Sequence, residues 1–321
     1  MYLNHKYILI VCLEILLSGC SAGFSLQQDR SEYVQARSAY EEGNYQQAIS
    51  LLSSYIYKTQ NVARREARSY RLLGLSYERL GQTDRAMEVY SEALEFHPEY
   101  VPLLLEAARL YQENGLITRS IELYERALAE EPLNAQALTG QAANYARLGF
   151  YSKARTFYDK FFELTPTVSP YYLALYASTF LQQRNYEQAF IHITQALEQE
   201  NTNPDFWRLS AEARRGLNMN KEALLDLQTA IMLAPERSDF LAYKALWLYE
   251  AGAYDSSLQT AEQILHKSPD NNLALFVQAL NWQKQGNQTR ARAQLTQIAK
   301  ATPLSFIGQV AQKMLSTSTT R

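Results

Sequence analysis

The stretch GLSYERLGQTDRAMEVYSEALEFHP, residues 74–98, returns in altered form twice in the residues that follow it. ARLYQENGLITRSIELYERALAEEP occupies 108–132 and AANYARLGFYSKARTFYDKFFELTP occupies 142–166, each beginning 34 residues after the last. The frame extends in both directions. A small residue recurs at Ala48, Ala86, Ser120, Ala154, Ala189, Ala223, Ser257 and Ala291, with gaps of 38, 34, 34, 35, 34, 34 and 34. A second small residue leads it by twelve, at Ala36, Gly74, Ala108, Ala142, Ala177, Ala211, Ala245 and Ala279. Gly marks one turn at 43, 81, 115, 149, 252 and 286, and Pro marks the other at 98, 132, 166, 235, 269 and 303. A fixed period of this length means stacked copies of one supersecondary unit.

Each mark has a physical reason. Apolar residues in each half-unit recur at helical spacing, as at Leu73, Tyr77, then Val89, Tyr90, Ala93 and Leu94. Two helices joined by a short turn cross closely, so small side chains stand at the crossing and Tyr and Leu fill the space beside it. Gly at the first turn accepts positive φ. Pro ends the second helix and pushes its predecessor out of the helical region.

The pattern resembles the tetratricopeptide repeat (TPR) family over residues 29–303, in eight units. The resemblance implies an all-α fold, a right-handed α-solenoid of paired antiparallel helices. One unit cannot bury its own apolar face; stacking does so. LSFIGQVAQKML, 304–315, reads as an amphipathic helix capping repeat eight, within a closing segment 304–321 whose tail is polar. Departures fall in three places. Repeat one is followed by four extra residues within 58–66. Repeat five has Arg184 at the Gly place, Asn201 at the Pro place and one residue inserted near 167–170; repeat six has Asn218 at the Gly place. A bend or change of pitch between repeats five and six is the expectation.

The chain begins with a short polar stretch carrying His5 and Lys6, then eleven mainly apolar residues, Tyr7–Leu17, interrupted by Glu14. That is short of the roughly 20 residues a bilayer requires and has the length of a signal-peptide core. It closes with Leu17-Ser18-Gly19-Cys20, which resembles the bacterial lipobox. That resemblance implies removal of 1–19, lipid on Cys20 and a tether over 20–28. Several acyl chains on one residue anchor firmly. Ser21, where an Asp resembles the inner-membrane retention signal, points to the outer membrane and the periplasm. Cys12 falls in the removed segment, so the mature chain would hold no free thiol.

Little else carries chemistry. Net charge is −2, from 31 basic and 33 acidic residues, with no basic excess for nucleic acid. The histidines, at 5, 97, 192 and 266, have no zinc spacing, and no phosphate-binding or nucleophile motif is present. No catalytic residue, metal, cofactor or small-molecule substrate is expected, and most of the 23 tyrosines fill repeat positions.

The expected activity is protein binding. In the TPR family the first helix of each unit lines a concave groove. In repeats one to four this places Arg30, Tyr33, Arg37, Tyr40, Arg68, Arg71, Arg79, Arg109 and Arg147 there, against Glu41, Glu78 and Glu113. In repeats seven and eight it places Leu246, Tyr249, Leu273, Phe276 and Leu280, an apolar end. The Lys/Asn set of carboxylate-clamp TPRs is missing. Lipid-anchored TPR proteins of this size resemble pilotin-type and Tad (Flp) pilus lipoproteins, which implies a role in assembling a pilus or secretion apparatus. The other expectation is an adaptor docking peptidoglycan-remodelling enzymes or proteases.

Overall fold

The structure, a computed structural model, describes residues 32–58, 66–165 and 167–317. The lipobox-like segment with Cys20, the tether and Arg30 lie outside the described residues, as does the stretch 59–65 that takes in most of the insertion after repeat one. Among the described residues every regular element is helical. Repeat one pairs α1 (32–41) with α2 (Tyr45–Lys58). Repeat two pairs α3 (Ala67–Arg79) with α4 (Thr83–Phe96), repeat three α5 (Val101–Glu113) with α6 (Ile117–Glu130), and repeat four α7 (Ala135–Arg147) with α8 (Tyr151–Leu164). Repeat five pairs α9 (Pro170–Gln182) with α10 (Tyr186–Gln199), and repeat six α11 (Pro204–Gly216) with α12 (Asn220–Leu233). Repeat seven pairs α13 (Ser238–Glu250) with α14 (Tyr254–Lys267), and repeat eight α15 (Asn272–Lys284) with α16 (Gln288–Ala301), before the closing helix α17 (Phe306–Thr317). No described helix is long and apolar enough to cross a membrane.

The small-residue frame is the helix crossing. Ala48, Ala86, Ser120, Ala154, Ala189 and Ser257 are fully buried, and so are Ala36, Ala108, Ala142, Ala177, Ala211, Ala245 and Ala279. Around them pack the large residues that the period predicts. Tyr90, Tyr124 and Tyr158 are almost wholly buried, Tyr111 and Tyr145 nearly so, and Tyr77 half-buried. Each such side chain removed from water contributes on the order of 1.5–3 kcal/mol.

The turns keep one geometry at Gly and at both departures from it. Gly81 has φ +69°, its N–H donates to Glu78 O at 2.9 Å, and Gln82 N–H donates to Tyr77 O at 2.9 Å. Arg184, φ +59°, and Asn218, φ +64°, occupy the same left-handed conformation. Arg184 N–H reaches Leu181 O at 2.9 Å and Asn185 N–H reaches Phe180 O at 2.9 Å; Asn218 and Met219 repeat both bonds at 3.0 and 2.9 Å. These departures therefore preserve the turn, at a local cost of about 1–2 kcal/mol for a side chain with a Cβ. Asn201, in place of Pro, leaves the next helix to be started by Pro204, with Asn203 capping Asp205 N–H at 3.0 Å.

The chain divides after residue 166, just before the stretch 167–170 with the single-residue insertion, into two compact units. The first holds repeats one to four, around Leu52, Ile56, Tyr70, Leu73, Tyr90, Leu103 and Leu104. The second holds repeats five to eight and α17. Its cores include Phe240, Trp247 and Leu227, and a cluster in which Ile307, Met314 and Leu315 of α17 cover Leu295, Ile298 and Ala299. Thus α17 closes repeat eight as expected, although Leu304 and Phe306 point to solvent. Its entry is set by Ser305, whose Oγ accepts from Gly308 N–H at 2.9 Å; a Cβ on Gly308 would strike the Thr302 carbonyl.

Candidate functional site

In the first unit the first helices of repeats one to three open a recess of about 820 Å³. Tyr33, Arg37 and Tyr40 of α1, Arg68, Arg71 and Arg79 in or beside α3, and Arg109 of α5 line it. This brings together the described arginines and tyrosines expected in these three repeats, with Glu41 and Glu78; Glu113 is not among the lining residues. Arg147 of α7 is not among the lining residues; its guanidinium donates to Gln112 O at 2.7 Å.

The charge balance differs from the sequence expectation. Glu106 also lines the recess, and it accepts from Arg71 at 2.6 Å. Arg109 binds Glu78 and also Glu113, the latter at 2.9 Å. Partial burial alone would lower the Arg109 pKa; the bonds it donates to Glu78 and Glu113 raise it beyond its ordinary value. Glu78 in turn accepts from the Tyr90 hydroxyl at 2.6 Å, which ties the recess to the core. Burial, then the bond to Glu78, pushes that phenol far above its usual range. Arg68 pairs with Glu66 outside the recess. Arg37 pairs with Glu41 at 2.7 Å, but both side chains are more than half exposed. Arg79 donates to the Tyr40 hydroxyl at 3.3 Å. The inner arginines, Arg71 and Arg109, are thus matched by Glu106, Glu78 and Glu113, whereas on the rim Arg37 and Arg68 each hold one partly exposed carboxylate and Arg79 meets a hydroxyl.

Glu106 was missed because it stands two places before Ala108, a repeat position that was not mapped to the groove. Its signal is spacing. Residues 35 or 31 apart meet across successive repeats: Arg71 with Glu106, Arg147 with the Gln112 backbone carbonyl, Arg215 with Glu250, and Glu78 with Arg109. The Arg79–Tyr40 pair, 39 apart, is the same relation with the four inserted residues added.

The apolar set of repeats seven and eight does not form one surface. Leu273 packs against Ala242, Ile264 and Ala274, and Phe276 joins the cluster covered by α17. Both are half-buried, with one side packed against these clusters. Leu280 is half-buried. Tyr249 packs edge-on to Tyr254, with ring centroids 5.4 Å apart. Leu246 alone lines an open recess, of about 720 Å³, with Tyr243 and Trp247. His192 lies edge-on to Tyr176 and stacked on Phe180, centroids 4.7 and 5.6 Å away, and no cluster of metal-binding side chains exists among the described residues.

Known proteins share this architecture. A TPR protein from Parabacteroides merdae superposes with a TM-score of 0.61 at 16% identity, covering 79% of this chain and 99% of that one. The Cut9–Hcn1 hetero-tetramer of the APC/C gives 0.60 at 14% identity, over 84% of this chain and 52% of that one. Among curated proteins, human E3 SUMO-protein ligase RanBP2 is 33% identical over 88 residues, and human RANBP2-like and GRIP domain-containing protein 8 is 32% identical over 88. These matches cover 27% of this chain and only 3% and 5% of those relatives' lengths. Residues 37–228 match the family described as "Psidin, N-terminal TPR repeats region", more than half of the chain, and the chain belongs to this family of tetratricopeptide-repeat proteins.

Proposed function

We propose that this chain is a lipid-anchored scaffold that binds other proteins in the recess of repeats one to three. TPR proteins generally mediate protein–protein interactions, and the recess is the observation that carries the reading here. Its fixed inner pairs hold Arg71 and Arg109 in place, while Arg37, Arg68 and Arg79 stand on the rim beside Tyr33 and Tyr40. An exposed pair such as Arg37–Glu41 is worth little, so exchanging Glu41 for a partner's carboxylate is nearly free. The ligand class that fits is an extended acidic segment, or a helix with an acidic face, because the arginine fork holds carboxylates through paired bonds. The lipobox-like Leu17–Cys20 supports lipid anchorage, Ser21 supports the outer membrane facing the periplasm, and the likeness of the architecture to lipid-anchored TPR proteins supports a part in assembling a pilus or secretion apparatus.

Pull-down of the full chain from detergent-solubilised membranes, read by mass spectrometry, identifies the partner. Arg37→Glu with Arg79→Glu is then expected to slow association and flatten its salt dependence, since exposed charge attraction is screened over about 8 Å at physiological ionic strength. Unchanged association would move the binding surface elsewhere. For the anchor, Cys20→Ala should lose radioactive fatty-acid label and leave the outer-membrane fraction; equal labelling of variant and wild type would sink it.

A further inference from the structure

Two of the molecule's costly turns share one address. In six repeats the turn within the helix pair is Gly at positive φ; in repeats five and six it is Arg184 and Asn218, in the same conformation. Both residues line the second unit's recess of about 720 Å³. This recess follows the edge where the first helices of repeats five to seven end and their partners begin. Neither residue is needed by the turn, which glycine makes elsewhere with the same pair of backbone bonds. What Arg184 and Asn218 add is their side chains.

Apolar and polar side chains share the walls. Trp247 is buried, and the Arg215 guanidinium lies over its ring, 5.0 Å from the centroid, held there by Glu250. The Tyr186 ring covers Gly216 at the point where a Cβ would stand. Tyr243 and Leu246 are half-buried along the wall. The acids here are already engaged, Glu250 by Arg215 and Glu212 by Arg208 at 2.6 Å. Arg184 is different: it is exposed and makes no ion pair or side-chain hydrogen bond among the described residues.

We infer that this recess is a second binding site, for a peptide segment carrying a carboxylate next to an aromatic or aliphatic side chain. The apolar group enters between Tyr243, Leu246 and Tyr186. The carboxylate meets Arg184, and the Asn218 amide is placed to bond the backbone beside it. The site does not depend on the recess of repeats one to three.

Panning a random dodecapeptide phage library on the full chain, then measuring the recovered synthetic peptides by fluorescence anisotropy, tests this. The recovered peptides are expected to share an Asp or Glu adjacent to Phe, Tyr, Trp or Leu. Arg184→Gly should weaken their binding at least tenfold while the melting temperature stays level or rises, because glycine suits the turn. Tyr243→Ala should weaken binding to a similar degree, and Arg184→Lys should restore part of it. A consensus without an acidic residue overturns the inference. So does equal binding by wild type and Arg184→Gly, and so does loss that follows Arg37→Ala with Arg79→Ala, which would assign the peptides to the first recess.

Discussion

Asn144 Nδ2 donates to Ser120 Oγ at 2.8 Å with both side chains fully buried, and Asn281 repeats the bond to Ser257 at 2.9 Å. Both pairs are 24 residues apart. The place of Asn144 and Asn281 in the repeat is held by Leu110, Thr179, Ala213 and Trp247 in repeats three, five, six and seven, each preceded by Ala at the crossing rather than Ser. Asparagine therefore stands where the preceding unit supplies a hydroxyl. A buried amide left without its partner costs about 1–3 kcal/mol.

Ser120→Ala should accordingly destabilise the chain by that amount, although Ala is the commoner residue at its position. Asn144→Leu in the Ser120→Ala background should regain part of the loss, because the repeat accepts leucine there. Asn144 Oδ1 also accepts from Gln112 at 2.9 Å, whereas Asn281 Oδ1 has no partner. Asn281→Leu should thus cost less than Asn144→Leu. Urea denaturation of the four members of the Ser120/Asn144 cycle gives the coupling, and strictly additive effects would refute the pairing.

The turns give the second prediction. Arg184→Gly and Asn218→Gly relieve left-handed strain, while glycine's greater freedom in the unfolded chain offsets about 0.4–1 kcal/mol of the gain. Asparagine is the better tolerated of the two at positive φ. Arg184→Gly should therefore stabilise by up to about 1 kcal/mol, and Asn218→Gly by less. Gly81→Ala should destabilise. A lower urea midpoint for Arg184→Gly than for wild type would count against this account of the turn.

The third concerns a buried charge. Asp226, only slightly exposed, accepts from Ser210 Oγ at 2.6 Å and from Arg214 at 3.0 Å. Burial raises its pKa above the ordinary value, outweighing Ser210 and Arg214, which lower it. A carboxyl whose folded-state pKa is raised takes up its proton in the folded state first as pH falls. Its contribution is then most favourable below its unfolded pKa, and diminishes as pH rises through the folded one. Asp226→Asn should flatten that acid-side segment of the stability profile. Asp226→Ala should cost less than the roughly 3–5 kcal/mol of a fully buried broken pair, because Arg214 is partly exposed. A stability profile between pH 3 and pH 7 identical in wild type and Asp226→Asn would contradict the assignment (reference carboxyl pKa about 3.9).

The period made the helices legible because one residue class answers one steric demand, repeated: Ala at a crossing, Gly at a turn, Pro after a helix. Arg184 and Asn218 keep the turn because a turn is defined by its φ and its bonds, which a residue other than glycine can adopt at a cost. The groove was legible in its cations and not in its net charge. Glu106 neutralises Arg71 from the next repeat, and a reading along single helices does not see a partner 35 residues away. Phe276 and Leu273 fall at the positions expected to face the groove, and only the packing of α14 and α17 against α15 shows that each is partly covered.

The fourth prediction follows from where the repeat tyrosines turn. Tyr90 lies over Gly74 of its own repeat, so a Cβ on Gly74 would overlap its ring. Tyr124, at the same place one unit on, lies instead over Gly140 of the following repeat. The glycine thus sits wherever the ring goes, and repeats three and four keep Ala108 and Ala142 at the Gly74 position. Alanine at 74 therefore looks harmless from the repeat and favourable by helix propensity, by about 1 kcal/mol. Yet Tyr90 cannot take the other orientation, because the position equivalent to Gly140 is Glu106, held by Arg71. Overpacking should then dominate, costing about 1–3 kcal/mol. It should also pull the Tyr90 hydroxyl from Glu78 and loosen Arg109 in the first recess. Gly216→Ala should be milder, since Tyr186 opens the helix and is half-buried, free to swing outward. Thermal melts of Gly74→Ala, Gly216→Ala and Gly74→Ala with Tyr90→Leu decide it: the loss should be largest in the first and partly recovered in the third, and a Gly74→Ala protein as stable as wild type would mean that the ring has room the packing does not show.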